Sequence, residues 1–357
     1  MTQPIYLDHN ATSPPHPAVL EAALPLITEH WGNSGSSHSL GRAPHAAIER
    51  ARGQLAEWAG ARSKDIVLTS GATEANNLAV LGTPGRVLCS AVEHPSVIEA
   101  VRERGGAVLP VDAQGRLRLD ALEAALQEGA ALLSLIAANN ETGVLQDIDP
   151  IAELCAAHGC LLHLDCAQLI GRHAAPERWD LITVTGHKAG GLKGAGALIM
   201  RRGVQTAPQT FGGGQERGRR AGTLNPAPIA SLGVVATLSH SAELRALRDR
   251  LEAAVVELGG QVTGAGAERL WNTCNVVFEG LPSDMLVMGL DLEGVCASAG
   301  SACASGAASA SSVLLAMGIE HSALRLSLGW NTRGEDIDRA IQALRVVVGR
   351  LRGLEGS

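Results

Sequence analysis

The chain has 357 residues, 46% of them hydrophobic and 18% charged. That globular balance excludes disorder over most of the length, and the length exceeds one small core, so two domains are expected. A net charge of -7 excludes a general nucleic-acid surface, which needs clustered cations over a broad face.

In chain order, residues 65–69, 86–89, 107–110, 132–136, 161–164 and 181–184 form short β-rich runs of the kind buried on both faces of a sheet. Residues 74–81, 96–104, 120–128 and 148–158 read as the helices between them. This alternation predicts an α/β fold with a mostly parallel sheet covered by helices. Ligands in such sheets bind beyond the carboxyl ends of the strands. Polar clusters fall there: Ser70-Gly71-Ala72-Thr73, Glu93-His94, Asn139-Asn140-Glu141, Asp165 to Gln168, and Thr185 to Lys188. A glycine-rich loop at 212–223 carries Arg217-Gly218-Arg219-Arg220, a local cluster that suits a small anionic ligand. Residues 226–258 carry a helical pattern long enough to link two domains, with a smaller C-terminal domain from about residue 240. Residues 300–312 are almost entirely Gly, Ala and Ser around Cys303, which predicts a mobile loop.

The first residues lack a charged and apolar leader pattern, and no stretch approaches 18 apolar residues, so a soluble, cytoplasmic protein without a membrane partner is expected. Seven cysteines with no Cys-x-x-Cys pair fit a reducing compartment and argue against a structural zinc site.

Lys188 is one of three lysines, the others being Lys64 and Lys193. A chain that otherwise uses arginine keeps lysine where an amine must lose its proton and bond to a carbonyl carbon. A strand-end Asp165 followed by a strand-end Lys188 is the pattern of a pyridoxal phosphate site, the acid holding the pyridinium nitrogen and the amine the aldehyde. A surface lysine and a helix-capping aspartate is the competing reading. Ser70 to Thr73 can receive an anion on a helix N-terminus or supply an ordinary Thr cap. His94, before Pro95, can stack on a cofactor and move protons. Asn140 and Gln168 can donate to a phenolic oxygen or cap turns.

Tyr6-Leu7-Asp8-His9-Asn10-Ala11-Thr12, Ser70 to Asn77, Asn139-Asn140-Glu141-Thr142-Gly143, Gly212 to Gly218 with Gly222-Thr223, and Gly300-Ser301-Ala302-Cys303 together resemble the cysteine desulfurases, in the class V aminotransferase group of fold-type I pyridoxal phosphate enzymes. The resemblance runs from residue 5 to about 330. It implies a large cofactor-binding domain over residues 15–240 with a seven-stranded type of sheet, and a small α+β domain from residues 1–14 and 241–357. It implies that Lys188 binds the cofactor, Asp165 its ring nitrogen, His94 its ring face, and Gln168 its phenolic oxygen. Ala72 would bind the cofactor, and Thr73, Thr185 and His187 would hold its phosphate, joined by Thr223 from the other subunit of a homodimer. Asn33, Asn140 and Arg325 would bind L-cysteine, with Asn140 helping to orient the cofactor as well and Arg325 gripping the substrate carboxylate. Cys303 would take the sulfur as a persulfide and pass it to an acceptor or scaffold protein. The loop around Cys303 resembles the iron-sulfur assembly type, although the stretch from Cys303 to Arg325 is slightly short. No metal site is implied. Selenocysteine lyase, another class V activity, and a non-catalytic sulfur-carrier scaffold are the rival readings.

Overall fold

The computed structural model describes residues 4–238, 242–300 and 310–355. Strand β1 (Ile5–Tyr6) leads into helices α1 (Pro17–Thr28) and α2 (Ser39–Ala59). The alternating region follows as β2 (Ile66–Thr69), α3 (Ala72–Gly82), β3 (Val87–Ser90), α4 (Pro95–Glu103), β4 (Ala107–Leu109), α5 (Leu119–Gln127), β5 (Leu132–Ile136), α6 (Ile148–Ala157), β6 (Leu161–Asp165), β7 (Leu181–Thr185) and β8 (Gly196–Met200). Every run read from the sequence is present, with ends moved by the caps. Helix α4, for instance, begins at Pro95 because proline suits the first helical position, and the His94 ring accepts the Ser96 N–H.

These strands form one seven-stranded sheet in the order β2-β8-β7-β6-β5-β3-β4. It is mostly parallel, as expected; β8 runs antiparallel to β2 and β7, because it returns from β7 without a crossover helix. Both faces are covered. Ile66 and Leu68 enter a core with Ile48, Leu55, Leu133, Leu164 and Leu232, while Val67 between them faces Leu78, Val80, Val87 and Val101. Two buried faces demand apolar residues at every strand position, which is why the runs lack alternation.

The remainder comprises α7 (Pro226–Thr237), α8 (Ala242–Glu257), β9 (Gln261–Val262), β10 (Thr273–Val277), α9 (Ser283–Leu292), β11 (Val295–Cys296), α10 (Ser312–Ala316), β12 (Leu324–Ser327) and α11 (Gly334–Glu355). The single helical pattern expected over residues 226–258 is therefore corrected to two helices. Leu238 takes an extended backbone at the end of α7, where Thr237 and the serines that follow in sequence are weak helix formers. Antiparallel strands β12-β10-β9 pack with α8, α9 and α11 around Val255, Val276, Phe278, Leu290, Leu326 and Leu344. Ile5 and Leu7 belong to that same core, and β1 pairs in parallel with β11. Each aliphatic side chain fully buried in this way contributes about 1.5–3 kcal/mol.

Candidate active site

The carboxyl ends of β2, β3, β5, β6 and β7 open on a cavity of about 750 Å³. Ala72, Thr73, His94, Asn140, Asp165, Gln168, Thr185, His187, Lys188 and Arg325 all line it. These side chains come from strand ends, the loops beyond them and the start of α3, with Arg325 alone reaching in from the C-terminal sheet.

Asp165 ends β6 and is buried. Its Oδ1 accepts from the Ala167 N–H at 2.9 Å and its Oδ2 from Asn76 Nδ2 at 2.8 Å. The same Asn76 nitrogen donates to Ser96 Oγ at 2.9 Å, and Ser96 Oγ lies 2.8 Å from His94 Nδ1. Since His94 Nδ1 also accepts the Ser96 N–H at 3.1 Å, the neutral ring is assigned its proton on Nε2. Burial lowers the His94 pKa, and Asp165 opposes that.

Lys188 follows β7 in a single 3-10 turn, His187–Ala189. Burial pulls its amine down to about 8; Asp165 pulls the other way, and Arg172 and Arg325 add to the lowering. The amine is thus neutral in a useful fraction of molecules near physiological pH, a requirement for a nucleophile. His187 is pushed down to about 4 by burial and by the cations Lys188, Lys193 and Arg172. It is a neutral ring whose Nδ1 lies 3.2 Å from Thr12 Oγ1.

Helix α3 points its N-terminus into the cavity. Its cap is Gly71, with Thr73 in the first turn rather than at the cap itself. Free backbone N–H groups there, with the Thr73 hydroxyl, suit an anion. Gly196 of β8 presses against this loop, since a Cβ built on it would sit 2.5 Å from the Gly71 carbonyl carbon. Thr185 Oγ1 donates to Ala195 O at 2.9 Å, and Gln168 Nε2 to Asn10 O at 3.1 Å.

Arg325 comes from β12 and reaches the cavity from the C-terminal core. It is not a free fork. Nη2 pairs with Asp8 Oδ1 at 2.7 Å and Nη1 donates to Asn140 O at 3.0 Å, while the buried Nε has no partner among the described residues.

Asn33 and Thr223 do not reach this cavity in their own chain. Both line a separate hollow of about 210 Å³ beside Arg52 and Glu216, and Asn33 Oδ1 accepts the Gly35 N–H at 2.8 Å, closing its own turn. Cys303 lies outside the described residues. On either side of it, Gly300 lies against Glu141 and Ser311 Oγ donates to Glu141 Oε2 at 2.6 Å, and Ser312 and Val313 line the cavity.

A family model described as aminotransferase class-V matches residues 5–340. A cysteine desulfurase of Gluconacetobacter diazotrophicus is 39% identical over 98% of this chain and 94% of its own length. A cysteine desulfurase of Cereibacter sphaeroides is 40% identical over 98% and 97%. The chain belongs to the class-V aminotransferases, and within them to the cysteine desulfurases. A solved NifS-like protein of Rickettsia africae superposes with a TM-score of 0.89 at 32% identity, covering 97% of this chain and 100% of that one.

No role was legible in the sequence for several side chains at or behind the cavity. Asn76 and Ser96 tie Asp165 to His94. Glu93 lines the cavity; burial raises its carboxyl to about 8, Ser90 and nearby backbone N–H groups partly offsetting that, and its Oε2 has no partner among the described residues. Arg172 bonds to Gln168 and to the Lys188 carbonyl. Asn76 stood within a quoted motif and Glu93 beside His94, so position was the available signal; Arg172 gave none.

Proposed function

We propose that this cysteine desulfurase takes sulfur from L-cysteine, releases L-alanine and leaves a persulfide on Cys303, with pyridoxal 5'-phosphate held at Lys188. The observation carrying the reading is that a partly neutral, buried amine and a capped carboxylate meet in one cavity with an open helix N-terminus. Those three features fit the aldehyde, the ring nitrogen and the phosphate of that cofactor respectively.

When bound, pyridoxal phosphate supplies an electron sink for the substrate α-carbon. The chain does the rest. Lys188 would hold the aldehyde carbon and, once released, would serve as the base for the α-proton. Asp165 would hold the ring nitrogen, its own oxygens being fixed by Asn76 and the Ala167 N–H. His94 would stack on the ring and has its proton at Nε2. Gln168 and Asn140 would donate to the phenolic oxygen, and Ala72, Thr73, Thr185 and His187 would hold the phosphate. Arg325 takes the substrate carboxylate on the N–H groups that Asp8 and Asn140 leave free. The Cys303 thiolate attacks the substrate sulfur, forming the sulfur–sulfur bond as the carbon–sulfur bond breaks, and a proton returns to the carbon skeleton to give alanine.

The working unit in this reading is a homodimer, with Thr223 contributing to the partner's phosphate site. Helix α1 supports it: Val19, Ala23 and Leu26 are buried, whereas Leu20, Leu24 and Ile27, with Trp31 beyond, form an exposed apolar stripe. The persulfide passes to an acceptor protein for iron-sulfur cluster assembly, in the cytoplasm, a placement supported by free thiols at each of the six described cysteines.

The test is a pair of variants. Lys188→Ala should lose the visible absorbance of the bound cofactor. Cys303→Ala should keep that absorbance and lose sulfide release from cysteine in the presence of a thiol reductant. Full sulfide release by Cys303→Ala would remove the desulfurase assignment of that thiol, and an unchanged absorbance in Lys188→Ala would move the cofactor to another lysine.

A further inference from the structure

Arg172 lies behind the cavity and is buried, at 6% exposure. A buried charge is expensive unless it is matched, yet among the described residues no carboxylate pairs with this guanidinium. It is bonded to neutral oxygens instead. Nη1 donates to Asn10 Oδ1 at 3.0 Å and to Gln168 Oε1; Nη2 donates to His9 O at 3.0 Å and to Lys188 O. Burial and the neighbouring Arg325 push its pKa down to about 9, which leaves it charged at neutral pH.

Two consequences follow from donor chemistry and charge. A guanidinium has no acceptor, so the Gln168 oxygen must face Arg172 and its Nε2 must face away. One Nε2 hydrogen goes to Asn10 O at 3.1 Å, and the second is left for the cavity. The positive charge also sits on the backbone of the residue whose amine must become neutral. The charged and titratable groups around that amine are Asp165, which favours its protonated form, Arg172 and Arg325, which oppose it, and His94, His187, Lys193, Glu74, Glu93 and Glu141, which line the same cavity.

We propose that Arg172 is a positioning residue of the active site: its guanidinium presents the Gln168 amide donor-first to the cavity and holds a fixed positive charge behind the Lys188 amine. The proposal rests on the reading that Lys188 binds pyridoxal phosphate. Without this charge the amine keeps its proton to higher pH, and the Gln168 amide is free to turn.

The test uses full-length protein carrying its cofactor, as wild type, Arg172→Met and Arg172→Lys, and reads the midpoint of the pH-dependent change in the visible band. A second arm strips the cofactor and labels amines by reductive ¹³C-methylation; with lysines only at 64, 188 and 193, the Lys188 titration is resolved by NMR. Arg172→Met should raise both midpoints by about one unit, while Arg172→Lys, which keeps the charge, should stay within a few tenths of the wild type. A bulky neutral loss of structure would not move a titration midpoint selectively. If Arg172→Met does not fold, Arg172→Gln takes its place with the same expected rise. Unchanged midpoints in the neutral variants would overturn the proposal, as would an Arg172→Lys midpoint shifted as far as theirs. Lys188→Ala that retained the visible band would instead sink the cofactor assignment, and the NMR arm would still report on Arg172.

Discussion

Glu93 shows how a single carboxyl in this cavity links its protonation to stability. Its carboxyl is held near 8 by burial, against 4.5 for an ordinary glutamate. A raised acid binds more protons folded than unfolded, so its contribution is fully present below pH 4.5 and is lost as pH climbs through 8. We expect the melting temperature of the wild type to fall across that window more steeply than that of Glu93→Gln, which keeps the shape and removes the titration. Parallel melting curves of the two proteins over the window would contradict this. The same scale decides what could be read from the sequence. Lys188 and Asp165 were legible because their chemistry restricts the residue type and each stands at the end of an apolar run. Asn76, Ser96 and Arg172 were not, because their roles come from meetings across the fold: Asn76 reaches Ser96 over 20 positions and Asp165 over 89. No local spacing encodes such a meeting.

At the scale of elements, the N-terminal end of α3, proposed above to hold the phosphate, depends on how closely β8 approaches it. Gly196 pairs with Thr69 across the sheet edge and leaves no room for a side chain beside Gly71. Gly196→Ala should therefore displace the loop that starts α3, at a cost of about 1–3 kcal/mol, and weaken retention of pyridoxal phosphate during dialysis more than it slows any later step. Retention equal to the wild type would mean the loop accommodates the methyl without moving the helix end. The glycine-rich loop has its own anchor. Glu216 and Arg217 adopt positive φ, and the Glu216 carboxylate is gripped by Arg52 at 2.9 Å and 3.0 Å and by the Leu68 N–H at 2.8 Å. The sequence reading took this arginine-rich loop for an anion site, yet Arg219 and Arg217 donate to backbone carbonyls and Arg220 to Glu74. The cationic composition of the loop was legible in the sequence, but not that its arginines bond to the protein's own oxygens. Strands and helices were legible because two-faced burial writes a continuous apolar signal; the break after α7 was missed because apolar residues continue on both sides of it.

For the whole molecule, the exposed face of α1 carries the quaternary expectation. Leu24→Asp combined with Ile27→Asp leaves the inward face of α1 untouched, so the fold should persist. Sedimentation should show a dimer for the wild type and a monomer for the double variant, with the variant also binding pyridoxal phosphate more weakly if Thr223 serves the partner's site. A double variant that sediments as the wild type does would direct the search for the interface elsewhere. One further property follows from the pairing of β1 with β11. The segment that holds Arg172 through His9 and Asn10 is itself fastened to strands far later in the chain, Ile5 opposite Val295 at 290 positions and Asp8 against Arg325 at 317. On the ribosome, therefore, the first residues have no strand to pair with until the chain has been made past Val295, and a product terminated before that point would lack both β11 and the Arg325 side of the pocket.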